Sequence, residues 1–102
     1  MVDIVRDTIS GPARTGSKSI GTTPTQIGDV GDLFSGVNLA SDESNQGTVY
    51  VGFHDDVTPG TTSGKDGFPI VAGGQVPISI TNMAKMWIVA SQAAQKVYWL
   101  AQ

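Results

Sequence analysis

The stretch at residues 86–101, MWIVASQAAQKVYWLA, constrains this chain more than any other. It holds both tryptophans, one of the two tyrosines and much of the bulky apolar mass of a sequence otherwise full of Gly, Ser and Thr. Two runs of β-branched and aromatic residues, MWIV at 86–89 and VYWL at 97–100, flank a softer connector, SQAAQ at 91–95. This pattern predicts two antiparallel strands joined by a short loop, forming the C-terminal wall of a β-sandwich. Alternation puts Met86, Ile88 and Ala90 on one face and Trp87, Val89 and Ser91 on the other. In the second run Val97, Trp99 and Ala101 alternate with Lys96, Tyr98 and Leu100. Neither pattern is cleanly polar on one side, so both faces are expected to be partly covered. A helix is the competing reading. Thr81 or Asn82 would cap it, no Gly or Pro interrupts residues 83–102, and Met83, Trp87, Ala90, Ala94, Val97 and Ala101 fall at helical spacing. That helix would have to carry several bulky β-formers at once, which disfavours it.

The rest of the chain supports strands. Its 102 residues make one domain near the small end of sizes that bury a self-sufficient core. Thirteen Gly and five Pro punctuate it with turns. Residues 1–17 carry no sustained apolar period and run into the breakers Ser10, Gly11 and Pro12, so they are expected to form an extended N-terminal arm ahead of a domain at 18–102. Strands are expected at residues 19–23, at 33–40 with a bulge or close approach at Gly36, and at 48–53 with Val49, Val51 and Phe53 on one face. A polar hairpin loop at 41–47 lies between the last two. Phe68, Pro69 and Ile70 open a short edge strand, and Gly73-Gly74 turns it into a strand bearing Val76, Ile78 and Ile80. Short strands at about ten-residue spacing describe an all-β fold, a small antiparallel β-sandwich or barrel of jelly-roll-like type.

Charge and composition narrow the partners. Residues 21–66 hold seven acids and one lysine, a net charge of −6, while the first twenty residues hold three basic and two acidic side chains. An acidic body argues against nucleic-acid binding through phosphate neutralisation. The absence of cysteine removes disulfides, thiolate metal sites and a cysteine nucleophile. No run approaches the roughly 20 apolar residues that span a bilayer, so no membrane partner is expected. The first ten residues show no basic start or apolar core, so no secretory signal is expected there.

Candidate chemistry is thin. Gly60-Thr61-Thr62-Ser63-Gly64-Lys65 fails as a phosphate loop, because three residues rather than four separate its glycines and Asp66 stands where Ser or Thr belongs. His54, Asp55, Asp56 and Asp66 could ligate a metal only if their loop brought them together. There is one His, the calcium-loop spacing is missing, and adjacent side chains on extended backbone diverge. Asp29, Asp32 and Asp55 could pair for glycoside chemistry only through long-range folding. No catalytic residue, metal ligand or cofactor is therefore expected, and the chain is read as a non-enzyme. The loop at 54–67 is long for a compact domain, a length that usually marks function or mobility. Tyr50, Phe53, Trp87, Tyr98 and Trp99 serve either as core or as a stacking platform for sugars. Any of Trp87, Tyr98 and Trp99 left exposed would mark a subunit interface.

The series GTVYVG at 47–52, DVT at 56–58, GFPI at 67–70, AG at 72–73, KMWIVAS at 85–91 and QKVYWLA at 95–101 resembles small virion proteins of tailed bacteriophages, including head decoration (cement) proteins. The likeness covers residues 36–102 and rests on hydrophobic-and-turn patterns. It departs from the pattern at Phe53-His54, where a glycine is expected, and in its longer loop up to Gly67. The resemblance implies a homo-oligomer, a trimer for preference, seated on the major capsid protein at the outer surface of the head. The arm would make the attachment, with Val2, Ile4, Val5 and Ile9 buried on docking and Arg6 and Arg14 paired with capsid acids. The alternative is a head-fibre or tail module that recognises host glycans through the 54–67 loop and exposed aromatics.

Overall fold

The structure, a computed structural model, describes residues 14–27, 36–60, 64–80 and 82–101. They form eight short strands: β1 (Arg14–Ile20), β2 (Thr25–Gln26), β3 (Val37–Ser41), β4 (Val49–Gly52), β5 (Phe68–Ile70), β6 (Gln75–Ile78), β7 (Trp87–Ala90) and β8 (Gln95–Ala101). A single 3₁₀ turn, Met83–Lys85, lies between β6 and β7. The fold is all-β, as the residue pattern predicts, and residues 86–101 form strands rather than a helix.

Two four-stranded sheets face each other, ordered β1-β8-β3-β6 and β2-β7-β4-β5. β1 pairs with β8, β2 with β7, β3 with β6 and β4 with β5, all antiparallel. The chain is thus one long hairpin folded double, which is the jelly-roll arrangement. Among the described strands only β4 and β5 are consecutive neighbours in one sheet; every other connection crosses from sheet to sheet.

That topology corrects two expectations. β7 and β8 are joined by a short loop but are not partners: β7 pairs with β4 and β2, and β8 with β1 and β3. The loop at 41–47, expected to close a hairpin, likewise carries the chain from β3 in one sheet to β4 in the other. Alternation settles which residues face inward, but a ladder of backbone bonds does not record which strand supplies it.

Within each strand the expected faces hold. β8 buries Gln95, Val97, Trp99 and Ala101 and exposes Lys96, Tyr98 and Leu100. β3 and β4 point Val37, Leu39, Val49 and Val51 inward, where they meet Ile20, Ile27, Ile70, Met86, Ile88, Ala90, Val97 and Ala101 between the sheets. Each fully buried Val, Leu or Ile contributes about 1.5–3 kcal/mol. Phe53 departs from its expected place: it follows the end of β4 and is 60% exposed.

Boundaries shift as well. β1 begins at Arg14, so the arm boundary drawn at Ser17 falls inside a strand paired with β8 along its whole length. Of the strand expected at 19–23, Ser19 and Ile20 end β1 and residues 22–23 form a bend, with the two-residue β2 following it. β3 starts at Val37, and residues 33–35 of the expected strand lie outside the described residues. Gly36 is the close approach anticipated. Its φ is +134°, and a side chain there would run into the Ile78 carbonyl.

Candidate functional site

The most distinctive surface feature lies where two edge strands meet. β5 ends one sheet and β6 ends the other on the same side of the sandwich. Each carries a proline, Pro69 and Pro77, which cannot donate to a ladder and is tolerated at sheet edges. Between them the sheets stay open. Val51 of β4, Phe53, Phe68 of β5, and Val76 and Ile78 of β6 line a cleft of about 220 Å³. Phe53 and Phe68 are each 60% exposed, so the apolar interior reaches solvent here. All five side chains are hydrocarbon, so the cleft can take an aliphatic or aromatic group, and among the described residues it offers no side chain for acid–base or metal chemistry. Sequence reasoning put Val51 and Phe53 on one face and let Val76 and Ile78 alternate with polar or Pro positions, without seeing an opening. The available signal was the pair of short proline-bearing strands, because two such edges on facing sheets leave a core uncovered.

A second, polar hollow of about 370 Å³ lies at the loops that join β3 to β4 and β7 to β8, and its lining includes Asp42, Asn45, Gln46, Gln92 and Lys96. These crossing loops are tied by side chains. Asn45 donates from Nδ2 to the Lys96 carbonyl at 2.9 Å and accepts the Lys96 N–H at Oδ1, also at 2.9 Å, so its amide continues the β3–β8 ladder one step further. Buried Gln95 accepts the Gly47 N–H at 2.9 Å and donates to the Ala93 carbonyl at 2.8 Å. Ser91 Oγ accepts the Thr48 N–H at 3.0 Å. Asp42 accepts from the Ser44 hydroxyl, the main cause holding its carboxyl below the ordinary range. Ala94 completes the tight crossing with a φ of +62°.

The long β4–β5 loop folds back on the outside of its own sheet. Val57 is 1% exposed and packs where side chains at Gly52 and Gly67 would have to sit. Thr58 N–H reaches the Lys65 carbonyl at 2.9 Å, Gly67 N–H reaches the Thr58 carbonyl at 3.1 Å, and Thr58 Oγ1 donates to Asp66 at 2.5 Å. Asp56 is the hub at the loop's head, receiving Lys65 Nζ at 2.5 Å and lying 2.9 Å from His54 Nδ1. The Lys65 ammonium, above all by its hydrogen bond, holds the Asp56 carboxyl below its ordinary value, and Asp56 raises Lys65 in return. His54 and Asp56 are thus engaged with each other. Among the described residues no group of three or more His, Asp or Glu is placed to hold a metal ion. Asp29 and Asp32 lie outside the described residues.

The aromatics do not share one platform. Trp99 is in the core at 9% exposure, Tyr98 stands 41% exposed on the outer face of β8, and Phe53 flanks the cleft. Trp87 and Tyr50 are half-buried on the outer side of the other sheet, where their strands alternate away from the core. Of the proposed arm residues, Val2, Ile4, Val5, Arg6 and Ile9 lie outside the described residues. Arg14 opens β1 opposite Ala101. Among the described residues no helix is long and apolar enough to cross a membrane. Comparison of the chain with protein-family models, with curated proteins and with solved structures found no match.

Proposed function

We propose that this chain is a non-catalytic decoration protein, binding the outer surface of a tailed-bacteriophage head and stabilising it. The observation that supports the reading best is the apolar cleft flanked by exposed Phe53 and Phe68, a surface suited to docking. The residue patterns shared with phage virion proteins point the same way. A fold by itself names no function, and jelly rolls also serve as lectins and enzymes. In this reading an oligomer, a trimer for preference, presents several weak contacts at once to the major capsid protein, and multivalency makes attachment durable. The N-terminal segment ahead of β1 supplies part of each contact.

The test is co-sedimentation with expanded empty heads. A chain lacking residues 1–13 keeps all of β1 and should fold but fail to attach; a cut at residue 16 would remove three paired residues and confuse the result. Full occupancy by the truncated chain would sink the reading. A second reading, recognition of host glycans by a head-fibre or tail module, draws on the polar hollow lined by Asn45, Gln46, Gln92 and Lys96. Glycan-array binding lost in Gln92→Ala, with head binding absent, would select it.

A further inference from the structure

We infer that the polar hollow at the β3–β4 and β7–β8 loops, with the exposed ring of Tyr98 at its rim, is a binding site for neutral oligosaccharides. The inference deepens the glycan reading above and rests on it for the use of this hollow. It does not depend on attachment to a head. The polar side chains here fall into two sets. Asn45 and Gln95 spend their amides on backbone groups that fix the two loops. Gln46, Gln92 and Lys96 line the same hollow and are exposed, so their polar ends can meet a ligand. Walls that are tied in advance spare a ligand the cost of ordering them.

Charge selects the class of ligand. Among the described residues that line the hollow, Asp42 is the one carboxylate and Lys96 the one cation, so the two balance. An anionic ligand gains no net attraction here, and no group of three or more acids or His is placed to hold a metal ion among the described residues. A ligand rich in hydroxyls fits instead, because each hydroxyl both donates and accepts. The carboxamides of Gln46 and Gln92 do both, the Lys96 ammonium donates, and the Asp42 carboxylate accepts. Asp42 is held below its ordinary value chiefly by the Ser44 hydroxyl and also by that of Tyr98, so it stays an acceptor at neutral pH.

Tyr98 adds an apolar floor beside these polar groups. Lys96 and Tyr98 share the outer face of β8, about 7 Å apart along the strand. The register partners of Tyr98 are Ser17 on β1 and Ala40 on β3. Both are too small to cover the ring, which is 41% exposed. One face of a pyranose ring is a patch of C–H groups, and an aromatic ring with a polar tip suits a ligand that is apolar on one side and wet on the other. The hollow, about 370 Å³, lies within the roughly 300–1,000 Å³ of small-ligand sites. An oligosaccharide would place one sugar in it and the next over Tyr98.

The test is an array of neutral oligosaccharides printed beside sialylated and sulfated glycans, probed with full-length protein. Binding to neutral glycans is expected, and the strongest is then titrated free in solution. Tyr98→Ala should weaken that binding by about tenfold, while Tyr98→Phe, which keeps the ring, should stay within about threefold. Both substitutions lie on the outer face, and an unchanged thermal midpoint checks that the fold is intact. In NMR spectra of isotopically labelled protein, the side-chain amide signals of Gln46 and Gln92 should shift as the oligosaccharide is added. Binding confined to acidic glycans, neutral binding untouched by Tyr98→Ala, or amide shifts only elsewhere on the surface would each overturn the inference. Acidic-only binding that is lost in Gln92→Ala would leave the broader glycan reading standing. Absence of any glycan binding would end both, and co-sedimentation decides the decoration reading separately.

Discussion

Gly16 of β1 and Trp99 of β8 are register partners, and the six-membered ring of the indole occupies the space a side chain at Gly16 would need. The largest residue of the strand is accommodated by the smallest opposite it. Any side chain at 16 would push the ring into a core that already holds Leu39 and Val97. Gly16→Val should therefore destabilise the fold by about 1–3 kcal/mol, the usual cost of overpacking. Urea unfolding followed by tryptophan fluorescence measures it. A double-mutant cycle with Trp99→Leu should show strong coupling, because the smaller partner relieves the clash.

Trp99 has a second peculiarity: its Nε1 is buried with no hydrogen-bond partner. An unpaired buried donor costs about 1–3 kcal/mol, which offsets part of what the large ring contributes by burial. Trp99→Phe, which keeps a ring and deletes the orphan N–H, should cost well under the roughly 3–5 kcal/mol expected of Trp99→Ala. Equal losses in calorimetry for the two variants would contradict this account.

Two backbone positions predict opposite signs. Gly36→Ala would place a side chain against the Ile78 carbonyl at a φ that L-residues avoid, and should destabilise by more than about 1 kcal/mol. Ala94 already bears a positive φ, a conformation costing roughly 1–2 kcal/mol for a residue with a side chain. Ala94→Gly should therefore raise the unfolding midpoint. Thermal scans of the two variants side by side settle both.

The Asp56–Lys65 pair gives the β4–β5 loop a pH window. Asp56 is held below its ordinary value of 3.8, so its contribution is present above that pH and is lost as pH falls through the lower, folded value. Lys65 is raised above its ordinary 10.5, so its contribution is present below that pH and is lost as pH climbs through the higher, folded value. Both groups are exposed, so the effect belongs to the loop rather than to global stability. Amide exchange at Thr58 and Gly67, corrected for the intrinsic pH dependence of exchange, should lose protection in acid. Asp56→Asn should show the same loss already at neutral pH.

The sequence by itself determined the strands and their faces. β-branched and aromatic runs broken by Gly and Pro select extended backbone, and a period of two assigns each side chain to core or solvent, as β8 shows from Gln95 to Ala101. It also marked one edge, through Pro69, while the same sign at Pro77 went unread. Only the tertiary structure decided which strands share a sheet, and with that the place of the cleft. Backbone ladders are blind to side-chain identity, and a short connector such as residues 91–94 serves equally for a hairpin or for a crossing between sheets. The deciding contacts are long-range: Asn45 on Lys96, Gln95 on Gly47 and the Trp99 ring over Gly16. Phe53, on one face with Val49 and Val51, and Phe68, at the start of an edge strand, line an opening because two edges from facing sheets end beside each other.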